Sequence, residues 1–597
     1  MKYILPLLIL SLQTSFVVAA TYYIDADSGN NLNSGTSPAE AWASLDKASG
    51  FNYEPGDRIL LQSGDRFTGK LFLDGKSGTV DNPIVIGSYG KGPSPVIDAA
   101  GYLAGVHLRN ARHIEVMDLE ITADGGVTVD GSRRDERYGV LVDVTWNNSS
   151  DSILIRDLHI HDIFPEIGRD HEGATPQTYV GTAIRIAGTG NNSVTVPATN
   201  VTVEGCLIER VGFKAVEMQR AHFINVLNNQ MNDIGGPAIQ PSRCEDIVVR
   251  GNTVDKSGSF SDPRMHGRGS GIWPWSSDRV LIEKNTFMHA RGRADSCGIH
   301  IDFNCNDVIV QYNLSIDNAG GFIEILGNNR KCTYRYNISI NDGSRVKGEP
   351  SNGPGTLVNN QYGHIMWISG FVGQGNTYNG PHNTYIYNNT IYVSTDILST
   401  FSIQEWANGI LIANNIFYVE GKTIDVTGDY ADDYFISLVQ RIVWKNNLYQ
   451  RTGILPVFNK DMFTDTEPVI GDPQFANTGG LSALDYIPLA RELIEDKGIL
   501  IENIPNDPVG LEVGLQVEKD FFGNPVIGMP DIGAIEFGSS SWGGFPAGAD
   551  GYCDTEDWMG VLWVNNDPWI WSESLGYWLY VHGESVTEDG AWTFFPR

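Results

Sequence analysis

Basic charge is what this sequence has least of. Its 41 lysines and arginines stand against 72 aspartates and glutamates, for a net charge of −31. A polyanion approaching such a chain meets repulsion, so no nucleic acid is expected as a partner. Long apolar runs are missing too. Beyond residue 20 nothing approaches the roughly 18–20 consecutive apolar residues of a membrane helix, so no transmembrane segment is expected. Helix signals are nearly absent. The clearest is PLARELIEDKG, with proline at its start and glycine at its end. Cysteine is sparse, six in 597 residues.

What the chain does have is a ladder of asparagines: Asn229, Asn252, Asn285, Asn313, Asn337, Asn389, Asn415 and Asn447. Each follows a short alternating apolar run, such as IVVRGN, VLIEKN or ILIANN. The register returns every ~23–33 residues, with one gap of about 50, and such a recurrence signals a solenoid. Val, Ile, Tyr and Thr at period two, with Gly, Asn and Asp between, describe short strands joined by turns. Stacking like strand on like strand piles asparagine on asparagine, where the amides can hydrogen-bond along the axis. The expectation is an all-β fold, a parallel β-helix, with coils over roughly residues 106–449. Cys244 and Cys305 then share a coil position with Ser276 between them. Coils stack about 4.8 Å apart, which leaves these two too far apart for a disulfide. Free, buried thiols are expected.

Met1–Ala20 carries one lysine, the run ILPLLIL and a small-residue site at Val18-Ala19-Ala20. It reads as a secretory signal peptide, predicting a secreted protein, periplasmic or extracellular. The segments TYYIDADSGNNLNSGTSPAEAWASLDKA, PGDRILLQSGDRFTGKLFL and NPIVIGSYGKGPSPVID follow, and DFFGNPVIGMPDIGAIEFG closes the region. Together they resemble secreted right-handed β-helix carbohydrate-active proteins, the group that holds glycoside hydrolases and polysaccharide lyases. The resemblance spans roughly residues 21–538. It implies a right-handed helix and a polysaccharide substrate, while the reaction is left open because one fold hosts many chemistries. The pectinase series NTD…DD…GHG…RIK is absent. Residues 539–551 read as a linker. Residues 552–597, with Trp558, Trp563, Trp569, Trp571, Trp578 and Trp592, read as a small Trp-rich β module whose aromatics build a core or stack on sugars. A monomer is expected.

Counting back from the turns WPWSSDR and DFNCNDV aligns Asp278 with Asp307 and sets Trp273 beside Asp302. Counting from the strand start sets Trp275 there instead. GIHID laid on GGFIE puts Glu324 level with Asp302. One face of the stack then carries Asp143, Arg185, Glu217, Gln240, Trp273, Asp302 and Glu324, while the other fills the bore. Two carboxylates that close cannot both ionise, and one raised acid beside an ionised partner is what glycoside hydrolysis needs. The other reading of the pair is an anchor for a buried arginine or a cation. His300 projects on the same face as a base or substrate hydrogen-bonder.

Three insertions interrupt the coils, HDIFPEIGRDHEGATPQTYVG, SGSFSDPRMHGRGS and NDGSRVKGEPSNGPGTLVNNQYG, and are expected to wall the cleft. Basic residues outnumber acids between Arg250 and Lys347. Arg264, His266, Arg291, Arg293 and Arg330 are therefore candidates to hold an anionic, sulfated or uronic glycan. His159, His161 and His171 fit no specific metal pattern. No cofactor is expected, calcium being the alternative that a lyase would call on. The expected activity is hydrolysis of a polysaccharide by the Asp302–Glu324 pair. The alternatives are a lyase using His300 with Arg264 or Arg330, and a non-enzymatic glycan-binding β-helix.

Overall fold

Each coil of the chain repeats one circuit of three strands. A representative coil runs Val216–Gln219, Ala221–Leu227, Gln230–Ile234. The next runs Ile239–Ser242, Glu245–Arg250, Thr253–Ser257, each strand pairing in parallel with its predecessor. In this computed structural model, residues 19–581 are described except 130–132, 168–179, 191–194, 351–357, 360, 405, 422, 426–438, 456, 459–462, 538–539, 543–544, 548–551, 556–557 and 565–567. The signal-peptide reading and His171 fall outside them.

Stacking the circuit gives three long parallel sheets. The second and third contain 14 strands each. The first, called here the cleft sheet, is split into a six-stranded part ending at Ile239–Ser242 and a four-stranded part beginning at Gly321–Ile325. Between the two parts only isolated bridges continue the ladder, among them Ile239↔Ile272, Ile272↔Ile299 and Ile301↔Ile325. Pro274, which has no N–H to give, lies in this gap. Strand alternation sends Ile184, Val216, Ile239, Ile272, Ile299, Ile301 and Ile323 into the bore, where all are buried.

The asparagines stack as a single ladder at the corner between the second and third sheets. Each side-chain amide donates to the next asparagine's Oδ1, from Asn229→Asn252 at 2.9 Å to Asn415→Asn447 at 2.8 Å, and Asn447 ends the row on Asp465 Oδ2 at 2.7 Å. The residue before each ladder asparagine takes a left-handed φ, as at Asn228 (54°), Lys284 (55°) and Tyr336 (52°). That conformation explains the repeated Asn-Asn and Gly-Asn pairs, because Asn and Gly adopt it at least cost.

All six cysteines are free and buried, as expected for those of the coils; for Cys553, outside the ladder, the sequence carries no expectation. The residue between Cys244 and Cys305 is Ser277, not Ser276, because Asp278 faces Glu245 on one side and Asn306 on the other. Residues 471–537 are mostly turns, with one short α-helix at Arg491–Ile494, and they pack against the coils. Phe475, Tyr486, Ile494 and Ile532 pack on the outer face of the third sheet against Ile338, Tyr392 and Ile416. Ile501, Ile504 and Leu511 cover Tyr385, Tyr387 and Leu411 on the second. These coils therefore carry apolar residues on both faces of their strands. The expected linker is also corrected. Ser540–Trp542 and Phe545–Ala547 form a hairpin, and Ala547 pairs with Cys553, so the segment is the start of the C-terminal sheet. That six-stranded sheet has its own core of Trp542, Cys553, Leu562, Ile570 and Leu579.

Candidate active site

The break in the cleft sheet is where its polar residues gather. Two outward columns run along this sheet. One stacks Arg185, Glu217, Gln240, Trp273, His300, Glu324 and Trp367 in register. The other stacks Asp143, Ala187, Gln219, Ser242, Trp275, Asp302 and Leu326. Glu324 is thus level with His300, not with Asp302 as counting implied, and Trp275 rather than Trp273 is level with Asp302. Asp278 faces Asn306 rather than Asp307, and the corner after Asp302 is one residue longer than the corner after Trp275, so counting back from the turn slips by two.

The expected residues Trp273, Trp275, His300, Asp302 and Glu324 nevertheless meet. Asp302 Oδ2 accepts the Trp273 indole N–H at 2.8 Å, and its Oδ1 accepts the Phe303 amide at 2.8 Å. The Trp273 ring stacks on His300 at 4.6 Å. His300 Nε2 lies 3.4 Å from Glu324 Oε1 without the alignment of a hydrogen bond, and the Cys297 thiol contacts Glu324 Oε2 at 2.8 Å.

Asp295 joins them, and the sequence reading did not single it out. Its carboxylate, His300 and Glu324 bring ligand-type atoms within 4.8 Å of one another. Arg268 donates to Asp295 Oδ2 through Nε at 2.6 Å, and Arg345 donates to the Asp295 carbonyl at 2.6 Å. Asp295 and Ser296 both take left-handed φ, 50° and 62°. Gly320 passes so close that a Cβ there would stand 1.7 Å from the Asp295 carbonyl oxygen.

These environments split the carboxyls. Burial opposes ionisation of Asp295, but Arg268 outweighs it and holds the group below the usual range. Burial pushes Asp302 up to about 7. Burial, with Asp295 nearby, pushes Glu324 up to about 8. Burial lowers His300 to about 4, so it is neutral at pH 7. Near neutral pH the site therefore holds an ionised Asp295, a protonated Glu324, and an Asp302 poised between the two forms.

A cavity of about 490 Å3 opens over this centre. Its lining includes Asp295, Glu324, Arg268, Arg293, Trp367 and Tyr378, with Val358 and Gln361 from the third insertion. The second and third insertions wall it, as expected. Arg293 has no acidic partner among the described residues. The other basic candidates lie elsewhere. Arg264 pairs with Asp124 at 2.5 Å and Asp262 at 2.8 Å. His266 packs buried on Phe213. Arg291 pairs with Asp317. Arg330 is exposed beside the His382 strand and does not line the cavity. Glu217 is tied to Lys214 at 2.6 Å and Arg185 at 3.3 Å, one coil above Gln240.

The model of the "Right handed beta helix region" family matches residues 104–391. The chain is a right-handed parallel β-helix. This β-helix is 24% identical to a lacto-N-biosidase from Bifidobacterium longum subsp. longum, over 86% of this chain and 36% of the relative. The chain thus spans about a third of the length of that curated relative. Among solved structures it is similar to a GH136 lacto-N-biosidase from Eubacterium ramulus, with 20% identity, 67% of this chain and 68% of that chain covered, and a TM-score of 0.47. It is also similar to XylC solved with xylose, with 12% identity, 87% and 98% covered, and a TM-score of 0.47.

Proposed function

We propose that this β-helix is a glycoside hydrolase in which Asp295 is the ionised carboxylate and Asp302 the general acid. The observation that carries the reading is the split between them. One carboxyl is held ionised by Arg268 and the other is raised to about 7, a value suited to donating a proton near neutral pH. Asp295 and Asp302 are each 8% exposed, whereas Glu324 is 1% exposed with an oxygen engaged by Cys297. Asp295 lines the cavity together with Glu324, but Asp302 keeps more exposure than Glu324 and is taken as the reacting acid. Glu324, the partner first expected for Asp302, also lines the cavity, where burial keeps it protonated and Cys297 engages one of its oxygens. The lacto-N-biosidase relative supports glycosidic bond cleavage.

In the proposed reaction, Asp302 protonates the leaving oxygen while Asp295 attacks the anomeric carbon or activates water. Trp367 and Tyr378 offer ring faces to a sugar, and the buried Trp367 Nε1 and Gln361 Nε2, which have no hydrogen-bond partner among the described residues, offer donors. Of the basic cluster only Arg293 lines the cavity, so an anionic substrate would be held there by one charge. Export through the N-terminal segment belongs to the same proposal.

The test is a glycan panel, neutral, uronic and sulfated, assayed for reducing ends and for absorbance in the enoyl band. Reducing ends without that absorbance are expected; the absorbance would convert the reading to elimination. Asp295→Asn and Asp302→Asn should each lower kcat by about 10²–10⁴, and Glu324→Gln by less. A Glu324→Gln loss that exceeds the Asp302→Asn loss would make Glu324 the acid.

A further inference from the structure

Far up the helix, on the third sheet, a second group of ligating side chains has no part in the proposed reaction. Glu120 opens the strand Glu120–Asp124, and His159–Phe164 stacks on it with His159 directly opposite Glu120. His159 and His161 project on the same outward face, two residues apart. Leu207–Val211 stacks next and sets Glu209 level with His161. Sequence spacing could not show this, because two of the four residues arrive from neighbouring coils.

Both carboxylate oxygens of Glu120 face imidazole nitrogens. Oε1 lies 3.2 Å from His161 Nε2, and Oε2 lies 3.9 Å from His159 Nδ1. The far nitrogen of each ring is also held by a carboxylate. His161 Nδ1 is 2.8 Å from Asp162 Oδ2, and His159 Nε2 is 3.2 Å from Glu209 Oε2. Arg210 fixes the other oxygen of Asp162 at 2.8 Å.

A neutral imidazole has one N–H. If it points to the outer carboxylate, the inner nitrogen is a lone pair facing a Glu120 oxygen, which is also an acceptor. Two arrangements remove that clash: both rings are doubly protonated, or a cation sits between the lone pairs and Glu120. The rings are only 4.5 Å apart by centroid, and two imidazolium charges at that distance repel. A cation removes both problems. The outer carboxylates, held on the far nitrogen of each ring, then orient the metal-bound histidines.

We propose that His159 Nδ1, His161 Nε2 and the Glu120 carboxylate bind one divalent transition-metal ion of the zinc class. Two imidazoles and one carboxylate suit zinc and its first-row neighbours, whereas calcium and magnesium ask for oxygen alone. A tetrahedral ion with bonds of ~2.0–2.1 Å sets its ligand atoms about 3.3–3.5 Å apart. The 3.2 and 3.9 Å separations run to different oxygens of Glu120, and one ligand atom from each of the three residues lies within 4.8 Å of the others, so the side chains must draw together to close on an ion. Both histidines border a cavity of about 450 Å3, also lined by Glu209, Asp233, Lys256 and Ser261, which gives solvent or a small ligand access to an ion held there.

The test uses the untagged full chain, stripped with chelator, and needs no glycan. Titration with Zn2+ followed by calorimetry should give one site, and Co2+ should give the intense visible bands of a tetrahedral complex. Glu120→Gln and His161→Gln should each abolish both signals. Asp162→Asn and Glu209→Gln should weaken the affinity about 10–100-fold, with the circular dichroism unchanged. Ca2+ and Mg2+ should not compete. Absence of stoichiometric Zn2+ binding at 100-fold excess over protein, or binding unchanged in Glu120→Gln and His161→Gln, would overturn the proposal and leave two histidines paired to carboxylates as surface salt bridges.

Discussion

At the residue scale the carboxyl split makes pH predictions with fixed signs. Asp302 has a folded pKa of about 7, above the ordinary carboxylate value. The folded state therefore holds this proton more tightly than the unfolded chain does. Stability from this group is present below the unfolded pKa and is lost as pH rises through the folded one. Asp302→Asn should thus raise Tm relative to the parent at pH 8 and much less at pH 4, a difference read directly by thermal melts. The same group sets the activity profile. With Asp302 as acid and Asp295 as base, kcat/KM should fall above pH about 7. Its rise at low pH should follow Asp295, which Arg268 holds below the usual range against its burial. Arg268→Gln removes that hold and should move the low-pH limb upward. A limb that stays in place would mean Asp295 is not the base.

At the scale of the element, the asparagine ladder and one glycine carry the strongest expectations. Asn337 donates to Val310 O, Arg335 O and Asn389 Oδ1, and its own Oδ1 accepts from the backbone and side chain of Asn313. Asn337→Ala strips partners from groups that are fully buried, each such loss being worth roughly 1–3 kcal/mol. A fall in stability of about 3 kcal/mol or more is expected by denaturant titration. Gly320→Ala acts differently. Its Cβ would meet the Asp295 carbonyl at 1.7 Å, so the coil must shift at the site itself. Activity should fall by a larger factor than stability alone explains, measured as kcat at a temperature where the variant is fully folded.

For the whole molecule, the C-terminal sheet is built around its own core and its first hairpin begins at Ser540. A chain ending at residue 538 should therefore keep the melting transition of the β-helix and its activity on soluble substrate. Residues after the last coil are another matter, because Tyr486, Ile494 and Ile504 seal apolar outer faces of the third and second sheets. Ending the chain at residue 470 would expose those faces and should cause aggregation, visible in light scattering.

Local rules in the sequence determined the repeat. Period-two strands, the Asn in eight successive corners and the left-handed residue before it are properties of a few consecutive residues, so the parallel β-helix and its ladder were legible from them. The same holds for the face carrying Trp273, His300, Asp302 and Glu324, because alternation fixes which residues point outward. Only the tertiary structure decided the register between coils, since one additional residue in the corner after Asp302 moves every later neighbour. It also brought in Asp295, Arg268 and Arg345, which stand on irregular segments with no period to read. It paired Arg264 and Arg291 with acids that sequence distance had hidden. Charge and chemistry at a point in space depend on neighbours one coil away, and the distance along the chain to those neighbours is set by loops of unequal length.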